Sequence, residues 1–217
     1  MKIKLILARL QSAINRDDLI EQMVLIDDPK TSSQKVHPAK PVKLIVGYNS
    51  SPNSHTALDM AFWIAHQTRL ATNTQVTVQA VYVVDENQKN HYPNAFIPKV
   101  YFPSLTSPVC EPSKSVTSVL KPKLTSNNAL YLKRTLVDTL QQADLILWQA
   151  RTLAEEWQGS FKAHLRFGNV SGELKKVVEL EAADILFLGC QSVNDSLIQT
   201  FGSSFPCAVL GIPSCIL

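Results

Sequence analysis

The stretch Val42-Lys-Leu-Ile-Val-Gly-Tyr-Asn-Ser-Ser-Pro52 decides how the chain is read. Its first half is a short, nearly continuous apolar run, as expected of a β-strand covered on both faces. Ser51-Pro52 then supplies a helix cap followed by the residue favoured at a first helical position. A strand therefore hands over directly to a helix, predicted to reach about residue 70. Downstream the pattern repeats. A second apolar, β-branched run covers 76–84, and a long amphipathic helix carries Leu136, Leu140, Ala143, Leu147, Ala150, Ala154 and Trp157 at spacings of three and four before Gly159. A third strand is predicted over 161–167. Ser171 is predicted to cap a helix that carries Leu174, Val177 and Val178. A fourth strand over 185–189, a short helix around 195–201 and a fifth strand over 207–212 complete the alternation. Strands that alternate with helices, each strand nearly all apolar, call for a doubly wound α/β fold, here a five-stranded parallel sheet with helices on both faces.

Two regions stand outside this alternation. Residues 1–41 read as a helical leader and polar linker. Ile3, Leu7, Leu10 and Ile14 form one stripe flanked by Lys2, Lys4, Arg9 and Arg16, and Leu19, Ile20, Met23, Val24 and Ile26 form a second apolar piece behind Asp17-Asp18. Packing on the chain's own domain, or on a twin subunit, is the plain expectation for both pieces. A partner protein's groove is the next, and a membrane surface, with only four cations in support, the least expected. Residues 87–128 form an insertion within the domain 42–217. It holds six of the chain's twelve prolines (Pro93, Pro98, Pro103, Pro108, Pro112 and Pro122), which forbids a long helix or an inner strand there. Its aromatic residues (Tyr92, Phe96, Tyr101, Phe102) make it a second candidate for docking a partner protein.

Composition narrows the function classes. With 217 residues, 45% of them hydrophobic and 18% charged, the chain can build a core and is not of the disordered class. No apolar run approaches the roughly 18 residues of a membrane span, and Arg9 interrupts the one stretch that begins like a secretory signal. A net charge of +3 without a dense basic stripe argues against nucleic-acid binding. Cys110, Cys190, Cys207 and Cys215 show no metal-ligand pairing and read as free thiols of a reducing cytoplasm. His55 and His66 share one helical face without a third ligand, so no metal site is expected. Hydrolase, P-loop and Rossmann motifs are absent. Without a nucleophile beside an evident base, the expectation is a protein that is not an enzyme.

In a doubly wound sheet ligands bind beyond the carboxyl ends of the strands, where strand order reverses. The candidate ends here are Gly47-Tyr-Asn49 and Leu188-Gly-Cys-Gln-Ser192, with Gly202-Ser-Ser204 following. Gly189-Cys-Gln-Ser192, nine intervening residues and Gly202-Ser203 reproduce the spacing of a G-x2-G-x9-G-[ST] pattern, and Phe205-Pro-Cys-Ala-Val-Leu-Gly-Ile-Pro213 looks like a matching last strand. On these residues, over 42–86 and 136–213, the chain resembles the universal stress protein family. The resemblance implies an adenine nucleotide alpha hydrolase-like fold and ATP or another adenine nucleotide held by Gly47, Asn49, Val84, Leu188, Gly189, Ser192, Gly202, Ser203 and Ser204. It also implies a homodimer paired through the last strand, and a stress-response, signalling role as sensor or scaffold. Two positions depart from the family pattern, Asn49 for an Asp and Ser192 for the second motif glycine, and both count against nucleotide. The competing expectations are a nucleotide-free adaptor with a vestigial pocket and a slow ATPase.

Overall fold

A computed structural model describes residues 3–27, 41–85, 126–202 and 205–212. The chain forms helix α1 (Ile3–Ile14), helix α2 (Leu19–Met23), strand β1 (Val24–Ile26), strand β2 (Val42–Gly47), helix α3 (Pro52–Thr72), strand β3 (Val76–Val84) and helix α4 (Ser126–Glu156). Strand β4 (Ser160–Phe167), helix α5 (Val170–Glu181), strand β5 (Ile185–Phe187), helix α6 (Ser196–Phe201) and strand β6 (Ala208–Leu210) follow. The sheet runs β1-β6-β5-β2-β3-β4, with β6, β5, β2, β3 and β4 parallel. The chain winds outward from β2 through β3 to β4, then returns to the other side of β2 for β5 and β6. Strand order therefore reverses between β2 and β5.

Alternation along each strand divides the core. Leu44 and Val46 of β2, with Val78 and Ala80 of β3, pack beneath α3 and α4 against Leu58, Phe62, Ile146 and Ala150. Ile45 and Val81 point the other way, into a second cluster built with Leu174, Val177 and Val178 of α5 and Ile198 and Phe201 of α6. Covered on both faces, the sheet keeps its fully buried strand positions apolar, whereas the outer strand β4 alternates Phe161, Ala163 and Leu165 with Lys162, His164 and Arg166. One buried polar group breaks the rule. Gln79, fully buried on β3, donates from Nε2 to Glu181 Oε2 (3.1 Å), so its Oε1 is the acceptor facing His164 Nε2 (2.6 Å). Lys43 Nζ donates to the same Glu181 oxygen at 3.0 Å. The chain of partners satisfies Gln79 at both ends, which is what makes its burial tolerable. Burial holds the His164 pKa below its ordinary value, and the Gln79 and Lys43 hydrogen bonds hold Glu181 below its own.

Four expectations need correction. The sheet has six strands, not five, because the second piece of the leader is helical only to Met23. Residues Val24–Ile26 instead pair antiparallel with β6 (Val24 with Leu210, Ile26 with Val209). The last strand is consequently not an edge; β1 lies along its outer side. Helix α5 is capped by Asn169, whose Oδ1 accepts from Gly172 N at 3.1 Å, while Ser171 Oγ donates to that same oxygen. The long helix begins at Ser126, inside the range read as insertion; residues 86–125 lie outside the described residues.

The leader packs on its own domain. Leu7, Leu19 and Met23 are fully buried in the core cluster beneath α3 and α4. Gly211 seals the junction, donating its N–H to Met23 O at 2.8 Å. A Cβ there would stand 2.3 Å from Cys190 O and 2.7 Å from the Leu25 side chain, so only glycine admits this approach.

Candidate functional site

A cavity of about 600 Å³ opens above the carboxyl ends of β2, β3 and β5, at the reversal of strand order. This is the size range of small-molecule sites, in the position where doubly wound sheets hold ligands. Its floor is apolar: Val81 and Val83 of β3, Leu174 of α5 and Leu188 after β5. Around the rim stand amides and hydroxyls, namely Asn49, Ser51 and Ser54 from the β2–α3 turn, Thr139 and Gln142 from α4, Asn169 and Ser171 from the start of α5, and Ser196 and Thr200 from α6. Tyr82 and Asp85 complete the wall at the end of β3.

Local sequence explains the mouth. Gly47 ends β2 where a Cβ would stand 2.7 Å from the Leu188 side chain. Tyr48 then turns inward; its N–H donates to Val81 O (3.0 Å), and its hydroxyl lies 3.0 Å from His55 Nδ1, with the two rings edge to face. Burial pushes the Tyr48 phenol up to about 12, so it carries its proton. Ser50 adopts a left-handed φ of +63° and its hydroxyl donates to Gln149 of α4, which ties the turn to the long helix. Asn49 Oδ1 accepts from Ser51 N (3.1 Å) and Ser51 Oγ from Ser54 N (3.2 Å), an Asx turn running into a helix cap. Across the mouth, Gly189 sits against that same helix start: a Cβ on it would meet Ser54 N at 3.1 Å.

Of the residues that the resemblance assigns to a ligand, Gly47, Asn49, Val84, Leu188 and Gly189 line the cavity. Ser192 does not. Its side chain turns away to accept from Asn194 N (3.1 Å), and its carbonyl accepts from Asp195 N (3.1 Å). Gly202 ends α6 outside the lining with φ +67°, and Ser203 and Ser204 lie outside the described residues. Phe201 packs on Phe205 in the core, with ring centroids 4.4 Å apart, and does not plug the mouth. Rim residues that the sequence does not single out, such as Thr139, Asn169 and Thr200, come from three different elements. Only Asn169, an Asn immediately before a helical run, carried a local signal.

Cys190 also lines the cavity, and burial together with the Asp195 carboxylate pushes its thiol up to about 12. It is therefore a protonated thiol rather than a nucleophilic thiolate. Among the described residues no group of three His, Cys, Asp or Glu side chains is placed to hold a metal ion. His66 lies elsewhere, 3.2 Å from Arg69. No helix among the described residues is long and apolar enough to cross a membrane.

No protein-family model and no curated protein matches the sequence. Among solved structures, the chain is similar to a universal stress protein family member from Burkholderia pseudomallei, at 17% identity over 79% of this chain and 96% of that one, with a TM-score of 0.42. It is also similar to a universal stress protein from Lactobacillus plantarum, at 15% identity over 81% and 99%, with a TM-score of 0.48. A third similar structure is a universal stress protein family protein from Arabidopsis thaliana with AMP bound, at 13% identity over 81% and 94%, with a TM-score of 0.45.

Proposed function

We propose that this chain is a universal stress protein-like regulatory protein of the cytoplasm, which holds an adenine nucleotide or its nucleoside above β2 and β5 and acts as a sensor or scaffold rather than as an enzyme. The observation that carries this reading is the cavity itself: about 600 Å³, apolar below and rimmed by amides and hydroxyls, at the reversal of strand order. Such a lining suits a flat heteroaromatic ring on Val81, Val83, Leu174 and Leu188, with a polyol reaching the rim. The protonated state of Cys190 supports a binding role over covalent chemistry. Any pairing of two copies along the last strand either uses β1 or displaces it.

The test is mass spectrometry of ligand released from natively purified protein, joined to thermal-shift titrations with adenosine, AMP, ADP and ATP. Thr200→Trp, at an exposed lining position, fills the mouth without touching the core. An adenine compound in the sample, or a thermal shift lost in Thr200→Trp, supports the reading. Silence in both assays overturns it in favour of the empty adaptor, and steady phosphate release from ATP favours the ATPase.

A further inference from the structure

Resting on that adenine-binding reading, we propose that the cavity selects the least charged member of the class, so that adenosine binds ahead of ATP. Sites that hold polyphosphates aim backbone N–H groups of helix starts and glycine loops at the ligand. Here three helix starts reach the cavity, and each has a side-chain cap that already takes one of its free N–H groups. At α3, Ser51 Oγ takes Ser54 N, and the Asn49 carboxamide that would reach for ribose takes Ser51 N instead. At α5, Asn169 Oδ1 takes both Gly172 N and the Ser171 hydroxyl. At α6, the cap is a carboxylate, Asp195 Oδ1, which takes Leu197 N at 2.9 Å.

In the turn that matches a phosphate-loop spacing, part of the polar backbone is engaged in the same way. Asn194 N and Asp195 N are both held by Ser192, and the Cys190 carbonyl accepts from Ile212 N at 2.9 Å. Among the described residues, the cap of α6 brings a carboxylate to the edge of the cavity: Asp195 acts on the lining thiol of Cys190. Among the described residues, each added phosphate thus meets capped helix starts and the Asp195 carboxylate, while the apolar floor serves base and ribose equally in every member of the class. The departures at Asn49 and Ser192 fit one shift in ligand, away from polyphosphate.

Isothermal titration of the full chain with adenosine, AMP and ATP tests this. Adenosine is expected to bind at least about tenfold more tightly than ATP, a gap of about 1.4 kcal/mol. The gap should narrow at about 1 M salt, where charges are screened beyond about 3 Å. Asp195→Asn keeps a good helix cap while removing the charge, and should improve ATP affinity at least about threefold with adenosine unchanged. ATP binding as tightly as adenosine overturns the proposal but leaves the adenine-binding reading intact. An ATP deficit indifferent both to salt and to Asp195→Asn also overturns it. If none of the three ligands binds, the adenine-binding reading itself falls.

Discussion

Gln79 shows how one residue can set a pH response. Its amide is held between Glu181 and His164, and the orientation that satisfies Glu181 obliges His164 to donate from Nε2. His164 binds a proton more weakly in the folded chain than at its ordinary value of 6.5. The unfolded chain therefore takes up the proton first, and this contribution to stability is present above about pH 6.5 and declines below it. Glu181 is shifted below its ordinary 4.5, so its contribution is present above that value and is lost as pH falls through the lower folded value. Urea midpoints between pH 7.5 and 5.5 should fall in the parent chain and fall less in His164→Gln, which retains a donor for Gln79. Equal losses in both chains would show that His164 does not carry the response. Ser192 falls at the motif's spacing, yet its oxygens are claimed by Asn194 and Asp195, a local competition that spacing does not reveal.

Among the elements, strands that stand between helical layers were legible in the sequence, and those that depend on a partner were not. The bounds of β2 and β3 follow from mainly apolar runs, interrupted at Lys43, Thr77 and Gln79 and closed by turn residues. Val24–Ile26 continued an apolar pattern that began helically, and its extended form comes from pairing with β6, which is 180 residues away in sequence. The cap of α5 was misread because two good capping residues, Asn169 and Ser171, lie two apart; the structure uses both on one oxygen. The β1–β6 junction gives a direct prediction. Gly211→Ala should cost about 1–3 kcal/mol and speed amide exchange across Val24–Ile26, because the new Cβ contests the Cys190 carbonyl. Gly172→Ala, where the nearest atom lies 3.9 Å away, serves as the tolerated control. Similar melting temperatures and exchange rates in the two variants would contradict the close approach at Gly211.

At the scale of the whole molecule, the leader changes what the sheet offers to its surroundings. It lays β1 along the outer side of β6, while α1 and α2 bury Leu7, Leu19 and Met23 fully in the core cluster beneath α3 and α4. Each such side chain contributes roughly 1.5–3 kcal/mol through burial. Removal of residues 1–26 should lower the melting temperature by many degrees and, through the uncovered edge of β6, raise the mass seen by light scattering. An unchanged mass together with an unchanged melting temperature would show that the leader is dispensable to the fold. The doubly wound order was legible because the alternation of two periods is a property of the entire chain. The rim of the cavity was not, because it is assembled from separate elements, the middle of α4 among them, that meet only after folding.

Photolabelling with 8-azidoadenosine, followed by peptide mapping with and without excess adenosine, locates the ligand most directly. The expected adducts fall on peptides carrying Tyr48, Tyr82 and Cys190, and they disappear in competition with adenosine and in Thr200→Trp. Adducts confined to peptides from other parts of the chain, or labelling that excess adenosine leaves unchanged, would contradict binding above β2 and β5.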